Sequence, residues 1–132
     1  MAMNFLSRKD LENHATTWIE AWNRHDVDAV ITPFSKSVVF VSPRAAIVTG
    51  DATVRGRDAL YDYWMKALAA VPDLEFRLES IACDENAQTV LVHYVSHAGG
   101  KTLRACELMR FENGLQVYGE AFYGADVSEP SQ

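Results

Sequence analysis

The chain has 132 residues, the size of one ordinary domain with enough bulk to bury a core. Apolar residues make up 48% and charged residues 23%, which excludes a disordered or fibrous chain. Twelve basic against 18 acidic residues give a net charge of −6, which argues against nucleic acid and anionic membrane as partners, since both want a basic surface.

No apolar run approaches the roughly 20 residues needed to cross a bilayer. The stretch MAMNFLSRKD lacks the apolar core of a signal peptide, so a cytoplasmic protein is expected. Two cysteines, Cys83 and Cys106, cannot build a disulfide framework and read as free thiols. Without repeats or linkers, residues 1–126 are expected to form one domain, and residues 127–132 a loose tail.

Ser7 followed by Asp10 predicts a helix start, with a short acid in place of the usual Glu. Leu11, Ala15, Trp18 and Trp22 then mark one helix face. Asp26 predicts the cap of a second, short helix carrying Val27, Val30, Ile31 and Phe34, with Pro33 near its end. Val38 to Val41 is β-branched and aromatic and reads as a strand ending at Ser42-Pro43. A loop or small hairpin is expected next, with Gly50 and Asp51 as turn signals. A third helix starts after Gly56, with Leu60, Tyr63, Trp64, Ala67 and Leu68 as its apolar stripe, and Pro72 stops it.

The second half reads as all-β. Leu74, Phe76 and Leu78 alternate with Glu75, Arg77 and Glu79. Gly99-Gly100 and Asn113-Gly114 are two-residue hairpin signals between longer strand patterns. The expectation is α+β: helices packed on one face of a curved, antiparallel sheet.

Parity within the strands assigns the faces. If Gly99-Gly100 is the turn, Ser96 pairs with Leu103, Tyr94 with Ala105 and Val92 with Glu107. Leu103, Ala105, Glu107, Met109 and Phe111 then share a face with one charge, against two charges among Arg104, Cys106, Leu108 and Arg110. The first set is expected inside. In the last strand Val117, Gly119, Ala121 and Tyr123 form the matching set, and the small residues at 119 and 121 are expected to leave space. Glu107 is thus an acid on an apolar face, which is costly unless paired, hydrogen-bonded or protonated. The plain alternative is a rim glutamate, or one tied to a neighbour such as Tyr94.

Several motifs together carry a family resemblance: W-I-E-A-W-N-R-H-D-V-D-A-V (18–30), V-F-V-S-P (39–43), G-R-D-A-L-Y-D-Y-W (56–64), E-L-M-R-F-E-N-G (107–114) and G-E-A-F-Y-G (119–124). In this order and spacing the chain resembles the nuclear transport factor 2-like superfamily, closest to its SnoaL-like and ketosteroid-isomerase-like branches. The resemblance implies a cone-shaped α+β barrel of cystatin-like type: three helices on a strongly curved, mostly antiparallel sheet, with a pocket at the wide end. It also implies a homodimer through the outer sheet face. Ketosteroid isomerase has a tyrosine on its first helix, an aspartate base just before a proline, and a second acid on an inner strand. The matching positions here hold Trp18, Ser42 and Glu107, so only the inner acid is kept. Serine cannot shuttle a proton between carbons at neutral pH without its own activator, which argues against that isomerase's own reaction. The alignment also sets Trp22, Tyr63, Met109, Ala121 and Tyr123 around the cavity.

One carboxyl in an aromatic, water-poor cavity should have a raised pKa and serve as a general acid/base. Proton transfer next to a carbonyl of an apolar substrate is the natural class: isomerisation, aldol-type cyclisation or dehydration. Tyr94 or Tyr123 could donate a hydrogen bond to the developing enolate, with Trp18, Trp22, Ser42, Tyr63, Met109 and Ala121 around the substrate. No cofactor is implied. The competing readings are a dimeric module that binds an apolar ligand in the same cavity without chemistry, and a scaffold with a filled core.

Other constellations do not support a site. His93 and His97 lie four strand residues apart, about 13 Å, too far to share an ion. His14 and His25 have no second ligand at a useful spacing. Asp26 is accounted for as a helix cap. Leu91, Val95, Cys106, Leu108, Tyr118 and Phe122 face away from the helices, and the expectation is that two chains pack these faces together.

Overall fold

The computed structural model describes residues 4–128. Helix α1 (Arg8–Asn23) opens with a complete capping box: the Asp10 amide donates to Ser7 Oγ at 3.1 Å, and the Ser7 amide to Asp10 Oδ2 at 3.0 Å. Its buried stripe includes Leu11, Ala15, Trp18 and Trp22. Asp26 caps α2 (Val27–Ile31), accepting from the Ala29 amide at 3.0 Å.

Phe34 was expected on this second helix, but it opens strand β1 (Phe34–Val41). Pro33 has no amide to continue the helical ladder, and its carbonyl instead takes the Gln116 amide at 2.9 Å.

A further correction follows β1. Helix α3 (Pro43–Thr49) fills most of the segment expected as a loop or hairpin, so there are four helices among the described residues rather than three. Its signals are ordinary ones. Ser42 caps it through the Arg44 amide at 3.2 Å, Pro43 takes the first helical turn, and Gly50 ends it at φ +88°. The short β2 (Thr53–Arg55) then pairs antiparallel with the end of β1. Helix α4 (Arg57–Ala70) buries Leu60, Tyr63 and Trp64, and it stops just ahead of Pro72.

Strands β3 (Glu75–Asp84), β4 (Thr89–Ala98), β5 (Lys101–Glu112) and β6 (Leu115–Asp126) form an antiparallel meander. The open, curved sheet has the order β2-β1-β6-β5-β4-β3, with β1 and β6 parallel and every other pair antiparallel. Both central residues of each hairpin turn, Gly99-Gly100 and Asn113-Gly114, have positive φ, as a twist-matched two-residue turn requires. The register is the expected one: Ser96 opposite Leu103, Tyr94 opposite Ala105, Val92 opposite Glu107.

Bulges break the strict alternation at Glu79 in β3 and twice in β6, and one of them changes which residue is buried. The β5–β6 ladder steps from Arg110–Tyr118 to Phe111–Gln116, so Val117 is the extra residue of a bulge. Gln116, not Val117, is therefore the buried residue at this end of β6. Nor does Gly119 leave a void. A Cβ there would lie 3.0 Å from the Phe40 ring and 3.1 Å from Gln116 Nε2, so the missing side chain admits Phe40 from the neighbouring strand.

Helix α1 packs on β3 and β4, α4 packs on β1, and α2 bridges α1 and α4. None of the described helices is long and apolar enough to cross a membrane. Of the expected tail, 129–132 lie outside the described residues. The Val127 amide donates to the Thr102 carbonyl at 2.7 Å, and the Thr102 amide to Ser128 Oγ at 2.9 Å.

Candidate functional site

Glu107 points from the middle of β5 toward the helices. Its ladder partners are Val92 on β4 and Ala121 on β6, neither of which has a side-chain polar atom. The side chain is 2% exposed, and Oε2 is buried with no hydrogen-bond partner. Ionising it would strand a charge in an apolar setting, so burial pushes its pKa up to about 8. At neutral pH the carboxyl is therefore mostly protonated, by roughly ten to one.

The carboxyl borders a hollow of about 60 Å³. Aromatic rings form most of its wall. Trp18 meets Tyr94 edge-on at 5.4 Å, Phe76 lies 4.7 Å from Tyr94, and Trp22 meets Trp64 edge-on at 5.3 Å. The indole N–H of Trp18 is buried without a partner, like Glu107 Oε2. Three phenols share the wall. Burial pushes Tyr63 up to about 12, and it raises Tyr94 and Tyr123 as well. All three are therefore donors at neutral pH. The Ser42 hydroxyl works the other way on Tyr63 and Tyr123.

The structure brings eight of the nine expected site residues to this hollow: Glu107, Tyr94, Tyr123, Trp18, Trp22, Ser42, Tyr63 and Ala121. Met109 is the exception. Two residues further along β5, it lines a separate groove of about 490 Å³ between α1 and α2, together with His14 and Gln116. That groove is larger but has weaker chemistry. Its one acid, Asp10, serves the α1 cap, and burial pushes the His14 imidazole down toward the neutral form. Trp18 lines both hollows.

Sequence reasoning missed Arg44. The cap at Ser42 and the turn of α3 carry it to the mouth of the hollow, its Cζ 5.8 Å from the Tyr123 ring centroid. The Ser-Pro-Arg run was the available signal, since a serine cap followed by proline predicts a helix there. Among the described residues no cluster of three His, Cys, Asp or Glu side chains could hold a metal ion. His97 is tied instead to Thr102, through Nδ1 at 3.0 Å.

The hollow therefore combines one neutral acid, a ring of phenol donors and a cation at its mouth. That arrangement can bind an oxygen on which negative charge develops, and it can move one proton.

A curved sheet carrying helices on one face over an acid-bearing aromatic hollow defines a protein of the cystatin-like, nuclear transport factor 2-like fold. The SnoaL-like domain model matches residues 15–118, and the chain belongs to that family. A SnoaL-like protein of unknown function from Burkholderia thailandensis is 27% identical, with a TM-score of 0.80 over 90% of this chain and 98% of that one. A protein with a cystatin-like fold from Methylobium petroleophilum is 22% identical, with a TM-score of 0.76 over 95% of this chain and 82% of the other. A third structure, from Catenulispora acidiphila, has a ketosteroid-isomerase-like fold and contains trimethylamine. It is 19% identical, with a TM-score of 0.68 over 84% of this chain and 85% of that one. No curated protein matches the chain.

Proposed function

We propose that this SnoaL-like protein is a cofactor-free acid–base catalyst that moves a proton next to a carbonyl group. Isomerisation, aldol-type cyclisation and dehydration share that step. The observation that carries the reading is Glu107, a buried carboxyl with an unpartnered oxygen facing an aromatic hollow. Its ionised fraction, roughly one in ten at neutral pH, takes the proton from the carbon beside the carbonyl. The phenols of Tyr94 and Tyr123 donate to the oxygen as it gains charge, and Glu107 returns the proton to carbon. Trp18, Trp22, Ser42, Tyr63 and Ala121 shape the space around the substrate.

One observation favours a second reading, a ligand-binding module without turnover. The position before Pro43 is a serine that caps α3, so the hollow has a single carboxyl and no separate base.

A hydrogen-exchange experiment separates the two. The protein is incubated in heavy water with 2-butanone, and loss of the protons beside the carbonyl is followed by NMR. Catalysed exchange that disappears in Glu107→Gln is the expected result. Binding without exchange would assign the hollow to ligand holding alone.

The same reading includes a homodimer through the outer sheet face. Leu91 and Phe122 are 37% and 46% exposed there. The face is less uniformly apolar than parity suggests, because the Arg110 guanidinium lies 4.8 Å over the Tyr118 ring and Val95 is buried within the chain.

A further inference from the structure

Arg44 is the one basic side chain that lines the hollow among the described residues. Ion pairs among the described residues join Arg8 to Glu12, Arg104 to Glu79 and His97 to Asp73, and none of them includes Arg44. A guanidinium at the edge of an aromatic cavity, in a chain of net charge −6, lacks the carboxylate partner that its planar fork is built to grip. It is also held in place. The Arg44 amide donates to Ser42 Oγ at 3.2 Å, Pro43 stiffens the turn, and the guanidinium lies over the Tyr123 ring. Its charge lowers the pKa of Tyr63, Tyr94 and Tyr123, so its field reaches all three phenols.

Several of the remaining polar groups can also donate to an anion. The Trp18 indole N–H has no partner, and the three phenols and the Ser42 hydroxyl can donate. Glu107 is the only other formally charged residue type in the wall, and it holds its proton at neutral pH. A cavity lined by donors and one unpaired cation selects an anion over a neutral molecule of the same shape.

We infer that the hollow takes a small carbonyl compound bearing a carboxylate, with Arg44 at the mouth gripping the carboxylate while the carbonyl end reaches Glu107. This narrows the proposed function, and it rests on the acid–base reading of Glu107. The volume of about 60 Å³ suits a head group of a few non-hydrogen atoms, with the rest of the molecule lying out past Arg44. Arg44 is a specificity-determining residue in this account, not a proton donor.

Propionate and propionamide test the inference, because they match in shape and differ in charge. All three tryptophans of the chain line the hollow, so intrinsic fluorescence reports binding there. At about pH 6.5, where Glu107 is protonated, propionate should bind at least about tenfold more tightly than propionamide. Arg44→Gln should abolish that preference by weakening propionate binding, and Arg44→Lys should keep part of it. Raising the pH through 8 should weaken propionate binding, since the ionised Glu107 then repels it. Equal affinity for the two compounds, no propionate binding below about 50 mM, or a preference that survives Arg44→Gln would overturn the assignment. An NMR titration of Glu107 in Arg44→Gln distinguishes the two failures. If the raised titration persists without the preference, only the substrate class is wrong; if Glu107 titrates in the ordinary range, the acid–base reading has failed.

Discussion

Across the β5–β6 ladder Glu107 stands opposite Ala121, whose methyl offers the carboxyl neither a hydrogen bond nor a charge. Val92 on the other side offers no more. The raised pKa is therefore a consequence of strand register, and it can be changed from a neighbouring strand without touching the acid. Ala121→Ser sets a hydroxyl within cross-strand reach of the carboxylate. It should lower the Glu107 pKa by about one unit, since a hydrogen bond to the charged form favours it. An unchanged titration midpoint would show that the carboxyl draws its environment from somewhere else.

The same proton links stability to pH. In the unfolded chain Glu107 ionises near its ordinary value of 4.5, whereas in the folded protein it keeps its proton to about 8. The folded state then binds more protons between these values, so its stability falls as pH rises through that window and levels off above it. The loss is on the order of 3–6 kcal/mol. Glu107→Gln removes this part of the dependence. Denaturant titrations should find the variant close to the parent near pH 4.5 and clearly more stable near pH 9. A parent and variant that lose stability in parallel up to pH 9 would contradict this.

Gly119 gives a packing test. An added methyl meets the Phe40 ring at 3.0 Å and Gln116 Nε2 at 3.1 Å, inside a sheet face with no slack. Gly119→Ala should cost about 1–3 kcal/mol in denaturant unfolding, as overpacking does elsewhere. A neutral effect would mean that Phe40 can withdraw and that the core behind the hollow is looser than described.

Much of this fold was legible from local chemistry. The Ser7–Asp10 pair, the Asp26 cap and Pro72 each act through neighbours a few residues away, so they mark helix ends from sequence alone. The glycine turn at 99–100 fixed the β4–β5 register, and with it the side of the sheet to which Glu107 belongs. Two features were not accessible in this way. The bulge at Val117 breaks the period-2 rule, and nothing in Leu115–Tyr118 announces it, so Gln116 took the inner place that parity gives to Val117. Gly119 looked like an empty place because the residue that fills it, Phe40, comes from a parallel strand far away in sequence. Arg44 is a different case: Ser42-Pro43 carries the signal of a helix start, but the turn signals at Gly50 and Asp51 favour a loop or small hairpin there.

The outer face supplies an assembly prediction. Phe122 is exposed beside half-buried Cys106, and a dimer through this surface would bury it. Phe122→Glu should then shift sedimentation from dimer to monomer at micromolar concentration without changing the Glu107 titration. A parent that already sediments as a monomer would count against the outer-face dimer.

The measurement that bears most directly on the account is a carbon-13 NMR titration of the Glu107 side-chain carboxyl in the intact protein, assigned by its loss in Glu107→Gln. A midpoint near 8 is the expected result. A midpoint close to the ordinary 4.5 would mean that the carboxyl is solvated or paired, and would remove the basis for acid–base chemistry in the hollow.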